Sequence, residues 1–445
     1  MKCLLPAWRP MTLAALLATT TSLTAVAQVP AASPVSEPPK AAATEEPYSG
    51  LVIDGIKLSA QIQAGTIYNP YRPNTGLNFG QTITDRANTI LLNQILLTAA
   101  KPIDVEDKNF QWGFKLQGMY GSDARYTQYL GIFNNALPTA RQTFDIVEAN
   151  AQFRFPVFAG GLDLKAGLYP TPIGYETIDP STNPFYSHSY IFQFGLPFKH
   201  TGALTVSHVT DTVDIYAGID TGANTTFGPL GDNNGAIAGL TGFGLNLMEG
   251  KLTILALTHF GPENATRALS PLGVNANGQW RFFNDVVVTY KATDALTLVT
   301  EFNWIRDAYG YVNQPVNGFG AAQYVSYALS DTLTLNARAE IWRDDNNFFV
   351  ASFPGNSDAI RFQQGLPTIS PVFGAPGSNT TYGALTLGVT YKPEVPAPIT
   401  GLMIRPEIRW DHAYTSNNPF NTNPGNPSKQ TKNAFMIGAD IVLSF

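Results

Sequence analysis

Cysteine is almost absent: Cys3 is the one thiol in 445 residues, and it lies in an N-terminal stretch that reads as a removable targeting segment. There Lys2 and Arg9 precede an apolar run from Met11 to Val26 that closes on Ala25-Val26-Ala27, the layout of a secretory signal peptide cut before Gln28. Cys3 also sits too early for a lipoprotein cleavage site. The mature chain is therefore expected to have no lipid anchor, no disulfide frame, no thiolate metal site and no cysteine nucleophile. Charge is scarce too, at 13% of residues, where about 25% is usual for a soluble protein. With Lys2 and Arg9 removed, the 27 basic residues fall to 25 against 33 acidic ones, a net of −8. That sign argues against nucleic acid as a partner. No stretch beyond the signal holds ~18 consecutive apolar residues, which excludes helical membrane spans.

What the chain has instead is alternation. In its last twelve residues, AFMIGADIVLSF, Phe435, Ile437, Ala439, Ile441, Leu443 and Phe445 take every second place, with Ala434, Met436, Gly438, Asp440, Val442 and Ser444 between them. A strand with that period has one apolar face and one small or polar face. Sixteen such segments run from 57–68 to 434–445, an even count, as a closed antiparallel bacterial barrel requires. The links alternate in length: Thr210-Asp211-Thr212, Met248-Glu249-Gly250 and Leu329-Ser330-Asp331 are short, whereas 121–143, 170–200, 260–282, 343–381 and 412–433 are long. Starting the first strand in the periplasm puts every short link on that side. The expected fold is all-β, a transmembrane antiparallel up-and-down β-barrel of about 16 strands with short periplasmic turns and long external loops. Residues 1–27 are expected to be the signal peptide, 28–50 a flexible Pro/Ala-rich periplasmic leader, and 51–445 a barrel integral to the outer membrane of a Gram-negative bacterium.

Aromatic placement agrees with that topology, because Trp and Tyr favour the two membrane interfaces. Phe110, Phe153, Phe155, Tyr290, Tyr391 and Phe445 fall near periplasmic strand ends, and Tyr68, Tyr120, Trp304 and Trp410 near external ends. The polar faces carry Lys115, Glu148, Arg154, Arg338, Glu340, Arg405, Glu407 and Arg409. Near mid-membrane an Arg facing lipid would cost ~2–4 kcal/mol, so this set is expected to line the lumen. A sixteen-strand interior is too wide for side chains alone to fill, which makes passive diffusion of small hydrophilic solutes the expected function. The charges on strands 332–342 and 401–411 have two readings, contact with solutes or an ion-pair lattice bracing the wall, and one lattice can do both.

The third external link, 170–200, is the expected constriction. It holds Tyr175, Tyr186 and Tyr190 beside Glu176, Asp179 and His188, and a loop so rich in aromatics needs a surface to pack on. The lumen wall provides one. The alternative is an external cap or a subunit contact. Rings beside carboxylates would also suit sugar stacking.

From Gly167 the text GLYPTPIGYETIDPSTNPFYSHSYIFQFGLPFKHTG, with NQILLTAAKPID at 93–104 and GMYGSDARYT at 118–127, resembles the putative beta-barrel porin-2 (OmpL-like) family. The resemblance spans most of the chain after residue 55 and implies an outer-membrane porin-like protein without an assigned solute. It carries over no catalytic or ligand-binding residues. An enzyme is not expected, since none of His188, His200, His208, His259 and His412 sits in an H-x-x-x-H or G-x-S-x-G setting; no cofactor or metal is expected either. A substrate-selective, sugar-type channel and a surface adhesin or receptor barrel are the rival functions. Lipid is the expected surrounding, and a homotrimer is open because no residue proves a subunit contact.

Overall fold

The computed structural model describes residues 51–445 apart from 106, 108, 134–140, 159, 310–313, 351–378, 416–417 and 422–429. The expected signal peptide and leader lie outside the described residues. In chain order the strands are β1 (Leu51–Ile53), β2 (Ile56–Tyr68), β3 (Ile90–Lys101), β4 (Gln111–Gly121), β5 (Thr143–Phe155), β6 (Leu162–Pro170), β7 (Lys199–Thr210), β8 (Val213–Asp220), β9 (Ala238–Leu247), β10 (Leu252–Pro262), β11 (Trp280–Lys291), β12 (Leu296–Asp307), β13 (Val316–Ser330), β14 (Leu333–Asp344), β15 (Thr380–Tyr391), β16 (Gly401–Tyr414) and β17 (Asn433–Ser444). From β2 onward each strand pairs antiparallel with the next. β17 then returns to β2, with Ile437 opposite Tyr68 and Ser444 opposite Gln61, so sixteen strands close into a barrel.

All sixteen expected strands are present, most of them within three residues of their expected ends. The additional β1 was not expected. It folds back on β2 through Asp54 and Gly55, whose φ angles of +49° and +80° suit the two-residue hairpin turn that an Asp-Gly pair favours. At the seam the last residue joins the first barrel strand directly: the Phe445 N–H donates to the Ala60 carbonyl at 2.8 Å, and the Ala60 N–H donates back to the Phe445 carbonyl at 3.2 Å. Link lengths follow the expected sorting with one exception, since the external link 308–315 is no longer than the periplasmic links 102–110 and 392–400.

Period-2 patterning decides the faces. Along β16 the exposed Ile408 and Trp410 alternate with the buried Arg405, Glu407, Arg409 and Asp411. The same holds around the barrel, where Leu97, Leu116, Ile341, Leu385 and Ile437 are exposed. So broad an apolar exterior is stable only against lipid. Phe110, Tyr290 and Tyr391 are exposed at one rim and Tyr68, Trp304 and Trp410 at the other, as two interfacial girdles require. Inside, the largest apolar cluster joins Phe185, Tyr190, Ile191, Phe194 and Leu196 of the β6–β7 link to Tyr324, Trp342 and Tyr382 of the wall. That link therefore lies within the barrel.

Candidate functional site: the lumen and its inward loop

Residues 171–198 leave the end of β6 and reach wall strands on the far side of the barrel. The Tyr175 N–H donates to Glu301 Oε1 on β12 at 3.0 Å. Asn336 on β14 donates to the Pro184 carbonyl at 3.4 Å, and Gln94 on β3 to the Ile178 carbonyl at 2.9 Å. Local sequence shapes the route. Asp179 caps a one-turn helix, Pro180–Thr182, by accepting the Ser181 N–H at 2.8 Å, while Ile191–Gly195 form a π-helical turn. Wall glycines make room for the loop's large side chains: a Cβ on Gly65 would stand 2.6 Å from the Tyr186 ring, and one on Gly320 would stand 2.5 Å from Ile191.

Ion pairs and charge-assisted hydrogen bonds fasten the loop. Arg338 donates to Glu176 Oε1 at 2.6 Å and to the Ser187 carbonyl at 2.9 Å, and its Nε lies 3.2 Å from Glu340 Oε1. Glu340 accepts the Tyr190 N–H at 2.7 Å, and Arg409 lies 3.1 Å from the same carboxylate while donating to the His188 carbonyl at 3.0 Å. Glu407 accepts the Tyr186 N–H at 2.9 Å. Arg405 reaches the Pro180 and Asn183 carbonyls at 2.7 and 2.6 Å and also holds Asp440. The loop's backbone groups thus have wall charges as partners, which is what burial of an irregular segment demands.

Glu176 sits at the centre of this clasp. Burial alone would raise its carboxyl, but Arg338, with His188 Nδ1 at 2.8 Å, outweighs burial and holds it at about 2. A carboxyl lowered from its ordinary 4.5 contributes docking stability that is complete above that ordinary value and lost as pH falls toward the folded one. The part of the loop's protection from added protease that Glu176 supplies is expected to weaken as the pH falls through about 4 toward 2. Glu176→Gln should flatten that profile; an identical profile in the variant would assign the acid response to another group.

The expected lumen residues all face inward, and they divide into two groups. The side chains of Arg338, Arg405 and Arg409 are only 0–1% exposed beneath the loop, and Glu340 and Glu407 are also buried. Across the barrel Lys115 pairs with Glu148 at 3.0 Å and keeps 20% of its side chain exposed. Lys165, which the sequence reading did not single out, approaches the same carboxylate at 3.9 Å with 35% exposed. Arg154 is fixed to Asp163 at 2.8 Å and to the Gly160 carbonyl at 2.6 Å.

Among the loop residues, Tyr186 and Tyr190 are fully buried, with their hydroxyls donating to Asn93 and Asp411, each at 2.9 Å. His188 stacks on Phe192 at 4.2 Å, and the Tyr175 ring packs edge-on against Tyr324 at 4.6 Å. Asp179 is partly exposed beside Thr177 and Thr182 and accepts from Gln61 at 3.1 Å. The rings at 186 and 190 therefore pack the loop and offer no face for sugar stacking. Wall partners such as Glu301 and Asn303 escaped sequence reasoning, since one charged or polar residue in an alternating strand looks like any other lumen residue.

A closed sixteen-strand barrel with an apolar exterior and a loop bound to its polar interior defines an outer-membrane channel barrel. Residues 55–445 match the family described as putative beta-barrel porin-2, OmpL-like, and the chain belongs to it: it is an outer-membrane porin. No curated protein matches the sequence. Among solved structures the fold is similar to OmpF of Salmonella typhi in complex with daunomycin, with a TM-score of 0.51 and 9% identity over 88% of this chain and 97% of that one. An anion-selective porin from Comamonas acidovorans gives 0.50 and 9% over 88% and 99%. A loop L8 deletion mutant of OmpT from Vibrio cholerae gives 0.50 and 11% over 88% and 99%. At such identities the likeness concerns the fold alone.

Proposed function

We propose that small hydrophilic solutes diffuse passively between the loop and the β5–β10 side of the wall. The observation behind this reading is the uneven access of water to inward-facing residues. Gly202, Gly218, Gly242 and Leu255 on that wall, with Thr171, Gly174 and Tyr175 on the facing leg of the loop, are partly exposed, whereas the β14 and β16 charges are sealed. Gly202 and Gly242 can carry no side chain, since a Cβ would stand 2.0 and 2.1 Å from neighbouring wall carbonyl oxygens, so only backbone faces the lumen there. In this reading Arg338, Glu340, Arg405, Glu407 and Arg409 brace the loop, and the partly exposed Lys115 and Lys165 meet the solute, with the buried Glu148 and Arg154 supporting them from the wall. No catalytic role is assigned, since His188 and His208 are held against carboxylates that brace them.

Conductance of the mature chain in a planar bilayer tests the proposal, with neutral sugars and small anions added as blockers. Stable open steps are expected, and silence from a folded barrel would sink it. Two partly exposed lysines around one buried carboxylate leave the local field positive. Lys115→Gln combined with Lys165→Gln is therefore expected to move the reversal potential in a salt gradient toward cation preference. An unchanged potential would place the path elsewhere. The mass of the detergent-solubilised protein decides whether it assembles as a homotrimer.

A further inference from the structure

Three strands bring two imidazoles and a carboxylate together at their external ends, inside the barrel. His200 Nδ1 on β7 lies 3.1 Å from Asp220 Oδ2 on β8, and His259 Nε2 on β10 lies 3.0 Å from Asp220 Oδ1. These donor atoms all fall within 4.8 Å of one another. All three side chains are fully buried, so the cluster is no solvated surface accident.

The outer nitrogens of the two rings carry the argument further. His200 Nε2 is 3.0 Å from Thr171 Oγ1, and His259 Nδ1 faces Glu263 Oε1 at 3.7 Å. Glu263 is itself held by the Ala223 N–H, which donates to its other oxygen at 2.9 Å. Metal-binding histidines characteristically turn their second nitrogen to a hydroxyl, carbonyl or carboxylate, which fixes the tautomer and aims the first. Here both rings have such a partner on the outer side and Asp220 on the inner side. His200 Nδ1, His259 Nδ1 and Glu263 Oε1 nevertheless make no hydrogen bond of good geometry, an unusual orphaning for fully buried polar atoms.

We propose that His200 Nδ1, Asp220 and His259 Nε2 bind a divalent transition ion of the zinc type, with Thr171 and Glu263 orienting the two rings. Two imidazoles and one carboxylate are a nitrogen/oxygen donor set suited to zinc, whereas calcium and magnesium prefer oxygen alone. Tetrahedral zinc with bonds of about 2.1 Å places neighbouring donors about 3.4 Å apart. Asp220 Oδ2 stands 3.1 Å from His200 Nδ1 and 3.2 Å from His259 Nε2, near that spacing already, and the two ring nitrogens lie within 4.8 Å of each other. The ion ties β8 to β10 across the intervening β9, where Leu240 stands opposite His259, and ties both to β7.

Cobalt(II) tests this directly, because its visible absorption reports tetrahedral nitrogen/oxygen ligation. The full mature chain is refolded with and without Co²⁺, desalted, and assayed by absorption, metal content and the temperature at which the barrel unfolds on a gel. About one tightly held equivalent is expected, displaced by Zn²⁺ and accompanied by a higher unfolding temperature. His200→Gln and His259→Gln should lose the band, and His412→Gln should keep it. If the ligand variants fail to fold, Glu263→Gln decides, since loss of an orienting partner is expected to weaken affinity about 10–100-fold. A parent protein that holds no stoichiometric cobalt, or a band that survives both histidine substitutions, overturns the site and leaves Asp220 as a carboxylate shared between two rings.

Discussion

Deleting residues 176–194 is expected to raise single-channel conductance several-fold while the barrel stays closed. The deletion takes out Glu176, Tyr186, His188, Tyr190 and the apolar segment from Ile191 to Phe194, which together form much of the packing inside the lumen. It touches no strand pair, so the hydrogen-bonded ladder from β2 round to β17 is intact. The charges left behind on β14 and β16 pass from protein partners into water, and a hydrated charge carries none of the penalty of a buried unpaired one. The variant should therefore fold, with a wider and less selective lumen. Conductance equal to the parent's in a folded deletion variant would show that the loop does not bound the path.

Arg338→Ala is expected to have the opposite character, a large loss of stability from one side chain. Arg338 is fully buried and faces Glu176 and Glu340, with Ser187 and Thr386 as further partners. Removing one partner from a buried ion pair leaves the other uncompensated, at a cost of about 3–5 kcal/mol. The loss should fall on loop docking first, seen as faster proteolysis between 171 and 198 and noisier open steps, before it lowers the urea midpoint of the barrel. Combining Arg338→Met with Glu176→Gln removes both charges and should recover part of that cost. A single variant within about 0.5 kcal/mol of the parent would mean that the lattice does not brace the loop.

Strands were readable in the sequence because a lipid exterior imposes period 2 over most of each strand, as β14, β16 and β17 illustrate; the period slips at bulges, where Asn93 and Gln94, and Val147 and Glu148, are buried in succession. The exception was β1, too short for any periodicity, although the Asp54-Gly55 pair announced its turn. The inward loop was readable from its aromatics, but their role was not. Tyr186 and Tyr190 look alike in sequence whether they face solute or wall, and only the wall glycines Gly65 and Gly320 reveal sockets. Pairings were the least readable layer. Glu176 and Arg338 stand 162 residues apart, and His200, Asp220 and His259 meet because neighbouring strands share a level, which no motif spacing encodes.

The seam between β2 and β17 also sets an order of assembly. Gln63 on the first barrel strand donates to Asp440 on the last at 2.7 Å, across 377 residues, and Asp440 in turn orients the Arg405 that holds the Pro180 and Asn183 carbonyls. Two of the loop's carbonyls, those of Pro180 and Asn183, are thus held by an arginine that β17 keeps in place. Docking of the 180–183 turn is therefore completed only when the ring shuts, at the entropic cost of its longest closure. Loop docking is then a late event that reports completion, and a barrel stalled before its last strand pairs should present that aromatic segment unprotected to the chaperones and proteases of the periplasm.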